Sequence, residues 1–181
     1  MAIVIVNPRT GKPGGFVSEI VGYNNWMNTD FVKTSSYSDA LMEVSRHYCW
    51  LNNQTLEIRT VSGIYLIAMK MIAHRDYRND ISDAIGILIE EAEAGNSFSY
   101  ADIESAYHKL YHKAPTPKTQ ELFRDICAKS IEELKSLYDS QRNTESTVGN
   151  QLITYIEAGV NINTKNAADV AARIREKMNN T

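Results

Sequence analysis

Residues 64–81 read IYLIAMKMIAHRDYRNDI, and this stretch decides how the middle of the chain folds. Between Gly63 and Ala73 the only charged residue is Lys70, and apolar residues cover almost every direction around a helix. Such a helix is normally buried, so the sequence predicts a buried helix here. The ammonium of Lys70 then lies between packed surfaces, where it needs a carboxylate, an anion such as a phosphate, or a route to solvent along its flexible stem.

The polar segment after this helix predicts the start of another one. Apolar residues resume at helical spacing from Ile81 onward. Asp80 suits the N-cap of this second helix and Asp83 its first turn, because carboxylates accept the unpaired amides at a helix start. This structural interpretation does not explain why several charged residues crowd beside an internal lysine: Arg75, Asp76, Arg78, Asp80 and Asp83.

The segment LIAMK at residues 66–70, followed after three residues by HRDYRNDISDAIGIL, resembles the signature of a known family. It is similar to the nucleotidyltransferase-like family related to AbiEii-type toxins. Four further segments resemble that family more loosely: WMNTDF at 26–31, LEIRTVS at 56–62, AYHKLY at 106–111 and PTPKTQELF at 115–123. The resemblance covers roughly residues 20–125, and its specific part is the stretch from the lysine to the aspartate.

The resemblance implies roles for particular residues. In that family the lysine contacts the phosphates of a nucleotide and the aspartate assists catalysis. Carried over, this implies nucleotide binding by Lys70, Arg75 and Arg78, and catalysis by Asp80 and Asp83. An active protein would use Mg²⁺ and a nucleoside triphosphate. Asparagine stands at position 79 where many relatives have arginine, so the role of that arginine does not carry over.

The metal-binding part of the family pattern is missing from this sequence. Relatives hold Mg²⁺ with a GS turn followed by a D-x-D strand, and no D-x-D occurs here. Asp102 and Glu104 form a D-x-E in a helical pattern, where alternate residues point to different sides. We therefore predict no metal ligand in this chain. We expect the chain to be incomplete or inactive alone, with the carboxylates supplied by a missing N-terminal half or by another protein.

The predicted fold class is α+β, with a small mixed sheet near the N-terminus followed by a predominantly helical C-terminal region, as in a partial nucleotidyltransferase-like fold. Ala2 to Val6 and Leu56 to Val61 have the patterns of strands. Ser38 to Cys49 shows weak helical spacing, Ser99 to His112 a capped helix, and Lys118 to Ser140 a long helix.

We predict three regions along the chain. Residues 1–62 form the partial nucleotidyltransferase-like α/β region, 63–142 a helical region, and 150–181 a C-terminal helical extension. The boundary before the extension is placed at 143–149, because NTESTVG reads as a polar spacer. Thr164 is the predicted cap of the last helix.

Composition indicates in which cellular compartment the protein works and which partners to expect. The formal net charge is −3 and the pI is near 5.8, so no overall basic field argues for nucleic acid. The two cysteines, Cys49 and Cys127, read as reduced thiols. No uninterrupted apolar stretch is long enough for a membrane span, and we expect a cytoplasmic protein.

Three functional hypotheses follow. The first is a nucleotidyltransferase-like protein of a toxin–antitoxin or phage-defence system. The second is a non-catalytic scaffold that binds a nucleotide, RNA or a protein such as an antitoxin-like partner. The third is purely structural and pairs Lys70 with Asp80 or Asp83 in a buried ion pair.

Overall fold

The computed structural model describes residues 2–6, 31, 33–51, 56–75, 79–163 and 166–179. Within these ranges the chain has an α+β fold, with a small sheet near the N-terminus followed by helices, which confirms the predicted class. The elements are β1 (Ala2–Val6), α1 (Leu41–Val44), β2 (Arg46–Leu51), β3 (Leu56–Val61), α2 (Gly63–Ala73), α3 (Asp80–Glu93), α4 (Tyr100–Tyr111), α5 (Pro117–Cys127), α6 (Ile131–Glu157) and α7 (Ala167–Asn179).

The sheet has three strands in the order β1-β3-β2. β3 pairs antiparallel with β1, from Ala2 opposite Val61 to Val6 opposite Glu57. It also pairs antiparallel with β2, whose register shifts between His47 and Cys49. All pairings among the described strands are therefore antiparallel, where a mixed sheet was expected. The strand predicted at LEIRTV is the central one.

The weak helical spacing predicted across Ser38 to Cys49 produces only the short helix α1. From Arg46 the chain is extended and pairs with β3. Arg59 of β3 binds the end of α1, because its Nε donates to Ser45 Oγ at 2.8 Å and its Nη2 to the carbonyls of Ser45 and Met42 at 3.0 and 3.3 Å. Ladder formation and this guanidinium outweigh a weak local helical preference.

The chain divides into two compact units. The first consists of Met1–Ile72 and Ala101–Pro115, and the second of Ala73–Tyr100 and Thr116–Thr181. The regions predicted at 1–62, 63–142 and 150–181 concern ancestry and remain a prediction.

In the first unit, α2 is the helix predicted to be buried. Ile67, Ala68 and Met71 are buried, whereas Lys70 is partly exposed. Two hydrogen bonds tie the end of α4 to the segment before α1: Tyr111 Oη donates to the carbonyl of Ser36 at 2.8 Å, and Ser38 Oγ donates to the carbonyl of Leu110 at 2.5 Å.

In the second unit, the predicted helix from Lys118 to Ser140 is two helices. α5 ends at Cys127, and α6 begins after Ser130. Ser130 Oγ accepts a hydrogen bond from the backbone N of Glu133 at 3.3 Å, and the Glu133 carboxylate accepts one from the backbone N of Ser130 at 2.8 Å. This reciprocal capping box starts a new helix and lowers the pKa of Glu133, chiefly through the backbone hydrogen bond.

α6 continues through NTESTVG without interruption, so the spacer predicted at 143–149 is wrong. It packs on α3 at its N-terminal half and on α7 at its C-terminal half, where Val148, Leu152, Ala171 and Ile174 form a buried cluster. α6 ends just before Gly159, whose φ of +84° lies in the left-handed region that glycine adopts readily. Thr164 lies outside the described residues.

Candidate functional site

Three of the residues that the resemblance singled out, Arg75, Asp80 and Asp83, lie just before α3 or in its first turn. α2 ends at Ala73, and His74 follows with a φ of 26°, in the left-handed region that non-glycine residues seldom adopt. Asp80 was expected to be the N-cap of the next helix. Asn79 takes that position instead, and its carbonyl accepts from the backbone N of Asp83 at 2.8 Å.

Asp80 is the first residue of α3, and its side chain is only 1% exposed. Its Oδ2 accepts from the backbone N and the Nε of Arg75 at 3.1 and 2.9 Å, and its Oδ1 accepts from Nη2 at 3.2 Å. A two-pronged contact between guanidinium and carboxylate is stronger and more directional than a single charged hydrogen bond. The Asp80 carboxylate therefore binds Arg75 to the start of α3.

A second buried carboxylate reaches the first turn of α3 from α6. Glu145 is 2% exposed, and Ser82 beside it is fully buried. Ser82 Oγ donates to Glu145 Oε2 at 2.5 Å, and the backbone N of Ser82 lies 3.4 Å from Oε1. Gln141 Nε2 donates to Oε1 at 3.0 Å. Uncharged donors thus surround this carboxylate at the positive end of the α3 dipole.

Asp83, the second predicted catalytic residue, lies at the surface of the same turn. Its carboxylate is 3.4 Å from Nη1 of Arg142, and the two side chains are 38% and 45% exposed. An ion pair this exposed contributes little to stability. α6 therefore supplies Gln141, Arg142 and Glu145 to the start of α3.

His74, the residue before Arg75, contacts the first of two linked threonine hydroxyl groups. Its Nδ1 lies 3.4 Å from Oγ1 of Thr119, a residue of α5 that is 6% exposed. That hydroxyl is 2.9 Å from Oγ1 of Thr116, the N-cap of α5. The backbone after α2 is thereby linked to the first turn of α5.

The structure brings some of the predicted residues together. Arg75 and Asp80 are in direct contact, and Asp83 lies one turn along α3 in the same unit. Lys70 belongs to the first unit. Arg78 lies outside the described residues. The assignment of these residues to catalysis and nucleotide binding stays a prediction.

Sequence reasoning missed the buried residues Ser82 and Glu145 and the partly buried Gln141. A signal for the last two was present, because positions 134, 141 and 148 and positions 138, 145 and 152 follow heptad spacing. Continuing the stripe from Leu134 and Tyr138 to Val148 and Leu152 would have predicted that Gln141 and Glu145 face inward.

No ligand cluster for a metal ion is evident within the described ranges, since no group of three or more His, Cys, Asp and Glu side chains is placed to hold one. The helices in those ranges also include none that is both long and apolar enough to cross a membrane.

Comparisons with known proteins place this chain in no family. No family model matches it, and no significant match was found among curated proteins or solved structures. The nucleotidyltransferase resemblance therefore rests on the sequence segments quoted above.

These hydrogen bonds hold the start of α3 in place. Both oxygens of Asp80 accept from Arg75, and those of Glu145 accept from Ser82 and Gln141. Use of Asp80 as a proton acceptor would disturb its ion pair with Arg75, because the Asp80 side chain is 1% exposed and both of its oxygens already accept from that guanidinium. The geometry therefore suits a positioning role for Asp80 better than a catalytic one.

Proposed function

We propose that this chain is a nucleotidyltransferase-like protein that is inactive alone and works as a nucleotide-binding scaffold in a toxin–antitoxin or phage-defence system. The observation that supports the inactive state is the two-pronged contact between Arg75 and Asp80. The family resemblance assigns the aspartate to catalysis, whereas here its carboxylate is buried and serves to hold the turn before α3.

Lys70 is the residue proposed to contact the nucleotide. It lies on α2 beside a buried face formed by Ile67, Ala68 and Met71, and it is itself partly exposed. A lysine stem can cross apolar surface while its ammonium reaches an anion at the edge, and a compact ammonium suits a phosphate. Mg²⁺ would accompany the bound triphosphate, and any transfer reaction would need carboxylates from another polypeptide.

Calorimetric titration with ATP, CTP and GTP, with and without Mg²⁺, tests nucleotide binding. We expect saturable binding of at least one nucleotide and a loss of about tenfold or more in affinity for Lys70→Ala, since a hydrogen bond to a charged group contributes about 1.5–3 kcal/mol. Lys118→Ala, which changes an exposed lysine of α5, is the matched control and should bind like the native protein.

Two results would contradict nucleotide binding by Lys70. One is the absence of saturable binding to any of the three nucleotides. The other is equal affinity for native protein and Lys70→Ala. Lys70→Met separates a structural role from a binding role: a variant that melts at the native temperature and no longer binds nucleotide supports the proposal. A variant that fails to fold would assign Lys70 to the structure instead.

A transfer assay tests the inactive state separately. The chain is incubated with Mg²⁺ and a radiolabelled nucleoside triphosphate, with total tRNA or a cell extract as acceptor. We expect no label above background from the chain alone. Label incorporation that disappears in Asp80→Asn would show that Asp80 is catalytic and would overturn the scaffold proposal, while leaving nucleotide binding intact.

A further inference from the structure

The second unit contains an open pocket of about 340 Å³ at the end of α3, away from the α2–α3 turn along that helix. Its lining is mainly apolar and comes from the last half of α3, the loop after it and the beginning of α6. The main apolar residues are Leu88, Ala92, Phe98, Ile131 and Leu134. The thiol of Cys127 at the end of α5 also lines it.

Two local features of the backbone create this pocket. Gly95, with φ +86°, ends α3, and the backbone N of Asn96 donates to the carbonyl of Glu91 at 2.8 Å. This reversal brings Phe98 to the pocket wall. On the other side, the break at Ser130 starts α6 at the pocket edge.

Two polar residues at the rim, Asn96 and Ser130, have partners within the protein, and Lys129 in the lining is exposed, so its ammonium can remain in water. Asn96 Nδ2 donates to Glu91 Oε2 at 2.8 Å, and Ser130 Oγ accepts from the backbone N of Glu133. Burial raises the pKa of the Cys127 thiol to about 11, so this side chain is neutral near pH 7. The pocket therefore presents mainly apolar surface and a neutral thiol to a ligand, with the side chains of Ser97 and Lys129 also in its lining.

We propose that this pocket binds an uncharged, mainly apolar small molecule of about the size of a bicyclic aromatic. An apolar cavity of about 150 Å³ holds benzene, and natural ligand pockets begin near about 300 Å³. The pocket is large enough for two fused rings, whose burial against Leu88, Phe98 and Leu134 would supply the binding free energy. This inference does not depend on nucleotide binding by Lys70.

Protection of Cys127 from alkylation tests the proposal with indole as the probe. The native protein is treated with N-ethylmaleimide at pH 8, and peptide mass spectrometry follows the adducts at Cys127 and Cys49 separately. We expect saturating indole to slow the modification of Cys127 at least fivefold while the rate at Cys49 is unchanged. Cys49 is thus an internal control within the same molecule.

Substitutions that fill the pocket provide a second test of the proposal. Ala92→Leu should reduce the protection to less than twofold, because its larger side chain occupies the pocket. Ala172→Leu, at an exposed position of α7, is the matched control and should retain full protection. Ser97→Trp at the rim is the alternative filling variant if Ala92→Leu does not fold, and circular dichroism establishes folding for each.

Three results would overturn the proposal. They are the absence of slowing up to the solubility limit of indole, equal slowing at both cysteines, and undiminished protection in a folded pocket-filling variant. Indole-3-acetate tests the chemical class: protection at a tenfold lower concentration than indole would show that the site selects an anion and would refute an uncharged ligand.

Discussion

Two buried carboxylates near the start of α3 are compensated in different ways. At the start of α3, Asp80 meets the guanidinium of Arg75, whose side chain is 43% exposed. In the middle of α6, Glu145 is held by a hydroxyl, a backbone amide and a side-chain amide. One carboxylate is compensated by a charge, and the other by uncharged donors together with a helix N-terminus.

This difference predicts which substitutions each site can tolerate. The Asp80 site joins residues five positions apart, so it stabilises a local turn. The Glu145 site joins α3 to α6 across 63 residues, so it fixes the register between two helices. The free energy of unfolding should therefore depend mainly on charge at the Asp80 site and mainly on hydrogen-bond acceptors at the Glu145 site.

The largest effect is expected from Arg75→Ala. This variant takes the two-pronged cation away from a carboxylate that is 1% exposed, and the free energy of unfolding should fall by about 3 kcal/mol. Arg75→Lys keeps the charge without the planar fork and should lose about half as much. Urea unfolding monitored by circular dichroism measures both. Equal losses for the two variants would show that the charge contributes nothing without the two-pronged geometry, whereas native stability in Arg75→Lys would show that the geometry is unimportant.

A smaller loss is expected at Glu145. Glu145→Ala removes the acceptor of the Ser82 amide and leaves the Ser82 hydroxyl the longer contact to the Asn79 carbonyl at 3.3 Å, and it should cost about 2 kcal/mol. Glu145→Gln keeps one acceptor and should cost about 1 kcal/mol. The same urea titration measures this pair. If Glu145→Gln were as destabilising as Glu145→Ala, the charge rather than the acceptors would be the stabilising feature, and the contrast with Asp80 would disappear.

The smallest effect is expected at the exposed pair. Asp83→Asn removes the carboxylate that lies 3.4 Å from Arg142, and unfolding should change by less than about 0.5 kcal/mol. Any difference from the native protein should vanish in about 1 M NaCl, because salt screens exposed charges. A loss above about 1 kcal/mol that persists in high salt would mean that Asp83 belongs to the buried network.

Strong patterns in the sequence predicted the elements that lead to the site. The alternation of Leu56 to Val61 gave the central strand, and the apolar run from Gly63 to Ala73 gave α2 with its observed bounds. Local chemistry could also have revealed the break between α5 and α6. Ser130 and Glu133 have the spacing of a capping box, although the apolar pattern across them suggested one helix.

The polar part of the site could not be read in the same way. Glu145 occupies an inward position of α6, but it lies within the polar stretch 143–149 that resembled a spacer. Its suitability for the interior depends on Ser82, which is distant in sequence. Likewise, the N-cap expected at Asp80 gave way to a contact with Arg75, which binds this carboxylate more strongly than backbone amides alone would.

Helix α6 has 27 residues and is therefore about 40 Å long. Its N-terminal half contacts α3, and its C-terminal half contacts α7 through the separate cluster around Val148 and Ile174. Unfolding of the two halves of α6 should therefore be only partly coupled. α7 can detach by local opening while Glu145 remains buried, so amide hydrogens of α7 should exchange with deuterium earlier than those around Leu134 and Gln141.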